Sequence, residues 1–325
     1  MKQPRKERIT EAENPATALL DTLPTSKILR LMNREDQTVA LAVRKAIPQI
    51  TRAVELAAKA LAEGGRLIYV GAGTSGRLGV LDAAECIPTF GSRDVIALMP
   101  GGRKTVFQAV EDAEDNRDLA RQDLKRIKLT RKDVVAGLAA SGRTPYTLEA
   151  LRSAKRLGAK TIGVTSNPGT PLEQLADVPI VVVVGPEVVA GSTRLKAGTA
   201  EKLVLNMLST ATMIRLGRVL GGWMIHVQLT NQKLWERGRS ILSKATGADK
   251  RTARRILTAS GGNLPAAMLM FWRGIPKEEA LRLLGEGANT AKVLRKAWKE
   301  HLSPAGSRTP RRKTQPRGST SRRKP

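Results

Sequence analysis

The sequence predicts an α/β protein: a three-layer αβα domain on a five-stranded, mostly parallel sheet, plus a small C-terminal helical unit. Three observations lead there. Five short apolar runs, most of them rich in Val or Ile, are separated by stretches long enough for crossover helices. The first run passes directly into a Gly-rich turn, GAGTSGR. From about Asn231 the strand pattern stops and only short helical segments remain.

Taken in order, Ala16–Leu61 reads as helical through spacings such as Ile28 and Leu31, then Val39, Val43 and Ile47. Residues 1–50 are therefore expected to form a helical region packing on the sheet domain, which spans 51–230. The strands are expected at Arg66–Gly71, Val95–Met99, Asp133–Ala139, Lys160–Thr165 and Pro179–Val184. Thr105–Ile127 and Pro145–Leu157 have the length of crossover helices, and a long helix follows Thr193 through KAGTAEKLVLNMLSTATMIRLG. Residues 231–302 hold LWERGRSILSKATG, DKRTARRILTAS, PAAMLMFWRG and PKEEALRLLGEG, the pattern of a separate helical domain. Residues 303–325 carry eight Lys/Arg and no acid among Pro, Ser and Gly, too little apolar surface to fold, so a disordered basic tail is expected.

Composition narrows the function classes. The 325 residues are 41% hydrophobic and 26% charged, ordinary for a globular protein. One cysteine, Cys86, excludes an internal disulfide framework and a cysteine-rich metal cluster. No run of about 18 apolar residues is present, and MKQPRKERITEAENP has no apolar leader region, so the expected location is the reducing cytoplasm. The net charge of +27 raises the prospect of a nucleic acid or other polyanion as partner. Eight of those charges sit in the tail, the rest is spread over helices that also carry Asp and Glu, and aromatics are only 3%, scarce for base stacking. A solvated tail is the favoured reading, with a polyanion tether the alternative.

In a parallel sheet, ligands meet the loops at the carboxyl ends of the strands. Gly71, Gly73 and Gly76 spell the G-x-G-x-x-G of a dinucleotide turn. That reading needs an acid about 20 residues on, at the end of the second strand. The second strand ends Ala97-Leu98-Met99-Pro100-Gly101-Gly102, and Asp94 lies at its other end. A nicotinamide cofactor is therefore not expected. Ala140–Pro145 follows the third strand, Ser166–Gly169 the fourth, and GPEVVAGSTRLKAG the fifth, with Ser192 and Thr193 expected to begin a helix. Ser, Thr and Gly at helix starts can donate to phosphate oxygens, where the helix N-terminus also favours negative charge. Any one of these hydroxyls could equally be a helix cap. Their recurrence along one sheet edge favours a phosphate ligand.

The stretches LIYVGAGTSGRLGVLDAAECIPTFG, AVEDAED, LAASGRTPY and GPEVVAGSTRLKAGTAEKLVLNMLST, with ITEAENPATALLDTLPTSKILRLMNREDQTVALAV before them, closely resemble the N-acetylmuramic acid 6-phosphate etherases. These are sugar isomerase (SIS) domain proteins related to the glucokinase regulatory protein. The resemblance runs from about residue 9 to about 298 and leaves out the basic tail. It implies a lyase that needs no cofactor or metal, acts on a sugar-phosphate substrate, and works as a homodimer with the site near the subunit interface. It places the two catalytic acids on Glu85 and Glu114, and phosphate-binding hydroxyls on Ser75, Ser141, Thr144 and Ser192, with Thr74 and Arg143 beside them. Ile87 stands where the family pattern usually has proline, and Ala84 where serine is common.

The chemistry has its own logic. An alkyl ether at C3 leaves readily once ring opening places an aldehyde at C1, because the C2 proton is then acidic. A base takes that proton, an acid assists the leaving lactyl oxygen, and water adds back. His226 falls in the helical pattern GGWMIHVQL and His301 beside the tail, so both are expected in core or surface roles, leaving carboxylates. Composition alone would make Glu85 a salt-bridged helix residue and Glu111, Asp112, Glu114 and Asp115 a solvated acidic face. Under the resemblance, Glu85, expected in apolar surroundings that raise its pKa, becomes the acid for the lactyl oxygen. Glu114, expected to share a helix face with Glu111, handles the C2 proton or the water. An isomerase or a non-catalytic sugar-phosphate sensor on the same fold are the competing classes.

Overall fold

The computed structural model describes residues 8–108, 110, 112–285 and 289–303. The expected tail beyond Ser303, and Glu111, lie outside them. The chain divides into two compact units after Gly238.

In the first unit, two single-turn 3-10 segments, Pro15–Thr17 and Leu20–Thr22, lead into α1 (Thr25–Lys45) and α2 (Ile47–Ala62). The expected helical stretch divides at Ala46 because Pro48 has no N–H to extend α1 and instead suits the first turn of α2. Then come β1 (Leu67–Gly71), α3 (Gly73–Phe90), β2 (Val95–Leu98), α4 (Arg103–Phe107), α5 (Arg117–Arg126) and β3 (Val134–Leu138). They are followed by α6 (Pro145–Leu157), β4 (Lys160–Thr165), α7 (Pro171–Leu175), β5 (Val178–Val181) and α8 (Lys196–Arg215).

The five strands pair in the order β2-β1-β3-β4-β5, every pair parallel. Both faces are covered, which is why the strands read as continuous apolar runs. Leu67 and Tyr69 of β1, with Val134, Ala136 and Leu138 of β3, join one core under α1, α2, α3 and α8. Ile68, Val70, Val135 and Ala139 join the other, under α5, α6 and α7. Gly137 has no side chain for a reason of space: a Cβ there would stand 2.5 Å from Leu151 Cδ1 of α6.

Thr105–Ile127 is not one crossover helix. α4 ends at Phe107, the chain makes a 3-10 turn at Ala113–Asp115, and α5 starts afresh at Arg117. The restart has a local cause, since the Asn116 side chain accepts from the N–H groups of Asp118 and Leu119.

Two contacts tie the N-terminal segment to the sheet edge. Thr10 N–H donates to Asn167 Oδ1 (3.4 Å), and Asn167 Nδ2 donates back to Thr10 Oγ1 (3.0 Å) and to the Ala140 carbonyl (2.9 Å). Nearby, the Lys196 ammonium, 2% exposed, donates to Glu35 Oε2 at 2.6 Å. The same oxygen accepts from Asn14 Nδ2 at 3.1 Å.

The second unit contains α10 (Lys250–Ala259), α11 (Leu264–Arg273), α12 (Lys277–Leu284) and α13 (Thr290–Leu302), after α9 (Gln232–Thr246) has run through the division. Asp249, Asn263 and Asn289 cap the starts of α10, α11 and α13. α11 is buried along most of its length and packs on the other three. Among the described residues no helix is long and apolar enough to cross a membrane.

Removing one member of a buried ion pair strands the other, so Glu35→Ala is expected to lower unfolding free energy by about 3 kcal/mol. Adding Lys196→Met should restore a large part of it. Urea denaturation of both variants checks this.

Candidate active site

β2 and β3 lie on opposite sides of β1, so the crevice where ligands bind in such sheets opens beyond the carboxyl ends of β1 and β3. Gly71 and Leu138 are register partners, and the loops that follow them leave the sheet side by side. The glycines of the first loop answer a packing demand. A Cβ on Gly76 would stand 2.3 Å from the Gly71 carbonyl oxygen, and one on Gly71 would stand 2.9 Å from that of Leu138. Gly73 takes φ +55°, which opens α3 directly off the strand. A close turn of this kind needs the G-x-G-x-x-G spacing whatever the ligand.

Of the five helices that begin at this edge, α4 and α7 are single short turns, and the three long ones, α3, α6 and α8, differ in one respect. α3, preceded by Ala72, has no side-chain cap. α6 has none either, although Thr144 occupies its cap position. The Thr144 hydroxyl is thus not consumed as a cap. α8, in contrast, is closed: the Glu187 carboxylate, wholly buried, accepts from Lys196 N–H and Ala197 N–H, both at 2.9 Å. The helix therefore starts at Lys196, and Ser192 and Thr193 sit in the preceding turn instead of beginning it. Free helix dipole and amides are concentrated at α3 and α6.

Thr74 and Ser75 occupy the first turn of α3, with Ser75 buried. Across the crevice Ser141 Oγ accepts from Arg143 N–H (3.3 Å), while the Arg143 side chain is exposed. The start of α8 lies beside this turn: the Thr193 carbonyl accepts from Gly198 N–H, and a Cβ on Gly198 would lie 3.4 Å from Thr74 Cγ2, with Ser192 in the turn just before. The Ser166–Gly169 loop differs, since Asn167 is committed to Thr10 and Ala140.

A cavity of about 260 Å³ opens beside the first loop, lined by Ala72, Gly73, Arg77, Asp112 and Glu114 among others. Arg77 Nε and Nη2 donate to the carbonyls of Val106 and Thr105, pinning the β2–α5 connection to α3. Glu114 stands exposed on the 3-10 turn that follows Asp112, itself at φ +59°. Glu114 precedes α5, which begins only at Arg117, and the expected helix face shared with Glu111 lies outside the described residues. Glu85 is placed elsewhere. It is exposed on α3 next to Ala84 and Ile87, with Leu81 one turn before, and it does not line the cavity. The apolar surroundings expected for it are not supplied within one chain, because the apolar neighbours point outward with it. Twelve residues beyond Gly73, it lies about 18 Å along the helix from the loop.

Residues 49–155 match the glucokinase regulatory protein N-terminal SIS domain, and residues 107–211 match the SIS domain. The N-acetylmuramic acid 6-phosphate etherase of Aeromonas hydrophila is 52% identical over 84% of this chain and 92% of its own length. N-acetylmuramic acid 6-phosphate etherase 1 of Vibrio cholerae is 51% identical over 85% and 93%. That of Photorhabdus laumondii is 48% identical over 85% and 92%. The chain belongs to the N-acetylmuramic acid 6-phosphate etherase family.

Behind the site, this etherase-family chain buries polar groups between α3, α8 and β1. Tyr69 donates to Asp82 Oδ2 (2.8 Å) and Ser209 donates to Asp82 Oδ1 (3.0 Å). Burial raises the Asp82 carboxyl, with both hydrogen bonds opposing it, and pushes the Cys86 thiol up to about 12, so Cys86 is inert. Glu201 is 2% exposed, and burial lifts its carboxyl to about 7 against the opposing bond from Ser75. Sequence reasoning missed it, although the buried positions Ala197, Ala200, Glu201, Val204 and Leu208 mark it as an acid on the core face of α8. His226 is held near 4 by burial and by Arg218, hence neutral. In the second unit His301 Nδ1 meets the Trp272 carbonyl (3.1 Å), and its ring lies against Phe271.

The two threonines at this edge should behave differently. Thr170 caps α7 through Glu173 N–H, so Thr170→Ala is expected to destabilise by about 1 kcal/mol. Thr144→Ala, with no cap to lose, should change stability by less than about 0.5 kcal/mol. Thermal denaturation of both distinguishes them.

Proposed function

We propose that this chain is a carbon–oxygen lyase that converts N-acetylmuramic acid 6-phosphate to N-acetylglucosamine 6-phosphate and D-lactate, in cytoplasmic recycling of cell-wall amino sugars. The observation that carries the reading is its near full-length match, at about half identity, to relatives bearing that name. The geometry supports it. The 6-phosphate sits between the uncapped starts of α3 and α6, taking donors from Thr74, Ser75, Ser141 and Thr144, with Arg143 and Ser192 at its margins. The open-chain sugar extends from there into the cavity that Glu114 lines.

At that position Glu114 removes the C2 proton of the aldehyde. The electron pair forms the C2–C3 double bond as the C3–O bond breaks, and Glu85 delivers a proton to the departing lactyl oxygen. Water then adds at C3 and a proton returns to C2, so the product's C3 oxygen comes from solvent. Carboxylates carry both steps without a metal or cofactor.

A sugar phosphate anchored at the start of α3 is far shorter than the roughly 18 Å that separates its own Glu85 from the loop. Glu85 therefore acts on the substrate held by a second copy of the chain. The outward row Leu81, Ala84, Ile87 and Pro88 gives that copy an apolar strip to cover, and the contact supplies the dry surroundings Glu85 lacks alone.

In heavy-oxygen water the expected products are unlabelled lactate and N-acetylglucosamine 6-phosphate labelled at the C3 oxygen; mass spectrometry showing label in lactate would refute C2–C3 elimination. Glu85→Gln and Glu114→Gln should each abolish turnover and keep sugar-phosphate binding. Mixing the two inactive variants and letting subunits exchange should restore about a quarter of wild-type activity, one working site in half of the dimers. Mixtures that stay inactive after proven exchange would place both glutamates of a site in one chain.

A further inference from the structure

The α3–α8 interface contains an acid that the elimination chemistry does not use. Glu201 is 2% exposed on the core face of α8, and its Oε1 meets no hydrogen-bond partner among the described residues. Its one polar neighbour of consequence is the hydroxyl of Ser75, in the first turn of α3. A wholly buried carboxyl with an unmatched oxygen is costly, and its position beneath a phosphate-binding hydroxyl gives it a use.

Serine has a single hydroxyl proton. While Glu201 is ionised, that proton points at the carboxylate, and Ser75 can offer an incoming phosphate only lone pairs. The phosphate would also share Ser75 with a second anion inside the protein, where repulsion is poorly screened. When Glu201 is protonated, its own O–H donates to Ser75 Oγ and the serine proton is released toward the crevice. We propose that Glu201 is a positioning residue that binds a proton together with the sugar phosphate and thereby turns the Ser75 hydroxyl to donate to the phosphate. The inference rests on the placement of the 6-phosphate at Ser75 given above.

The surroundings leave Glu201 free to respond. Lys196, a turn and a half earlier on α8, is engaged by Glu35 of α1. Asp82 of α3 is held by Tyr69 of β1 and Ser209 of α8, and Lys202 acts on Asp82. Glu187 is occupied at the start of α8. From α2, the titratable side chains Arg52, Glu55 and Lys59 all lie on its exposed positions. Burial and the Ser75 bond are the influences that act on Glu201, and they set its midpoint near 7. Above that pH the free protein has lost the proton, so binding must take one up.

The test is calorimetric titration of the full-length protein with N-acetylglucosamine 6-phosphate at pH 7.5 and 8.5, in buffers of different ionisation enthalpy. The phosphate is a dianion throughout that range. Wild type is expected to take up close to one proton at pH 8.5 and to bind about tenfold more weakly than at 7.5, by linkage. Glu201→Gln, whose amide donates to Ser75 permanently, should bind equally at both pH values with no proton uptake. A merely structural role for Glu201 would leave the proton uptake of Glu201→Gln the same as that of wild type. Ser75→Ala should bind at least about tenfold more weakly than wild type at pH 7.5. If Ser75→Ala weakens binding but wild type takes up no proton, or Glu201→Gln keeps the pH dependence, the proposal for Glu201 falls alone. If Ser75→Ala binds as wild type does, the phosphate lies elsewhere and the site reading falls with it.

Discussion

The site depends on one close approach, that of the Gly76 backbone to the carbonyl oxygen of Gly71. Only the absence of a Cβ lets α3 start against the end of β1, since a Cβ on Gly76 would stand just 2.3 Å from that oxygen. That approach places the first turn of α3 at the switch point, beside the loop that leaves β3 from the paired residue Leu138. Arg77, one residue later, then clamps the β2–α5 connection and so carries Glu114 to the cavity. Adding one methyl group would disturb all three relations at once.

Electrostatics then selects among positions that topology makes equivalent. The long helices that start at the carboxyl edge of the sheet are α3, α6 and α8, and the protein neutralises the last of them with its own Glu187. An internal carboxylate at α8 leaves α3 and α6 as the free positive ends, so an anion is directed to one crevice instead of being shared among several. The buried acids behind that crevice, Glu201 and Asp82, are tolerated because neighbouring hydroxyls meet part of their need.

The sheet was legible in the sequence because its strands are covered on both faces. Residues such as Ile68 and Tyr69 point to different cores, yet both must be apolar, so each strand stands out as an unbroken run. The loops were legible for the same reason, since they follow those runs. What escaped were the features decided by tertiary context. The break at Ala46 and the division of Thr105–Ile127 follow from Pro48 and Asn116, single residues within otherwise helical patterns. The surroundings expected for Glu85 are not found within one chain, because apolar neighbours in sequence do not say which way a helix turns them. Glu201 was present in the pattern as an acid at a core spacing, and it would have been found by asking which polar residues break an apolar stripe.

The bond between Thr10 and Asn167 joins residues 157 positions apart. During synthesis the N-terminal segment therefore emerges long before its anchor, and the sheet edge it fastens to does not exist until β4 has left the ribosome. α1 and α2 must wait as well, since the core they cover takes strands from across the whole domain. The oldest part of the chain is thus among the last to settle, and for that interval it is the part most dependent on chaperones.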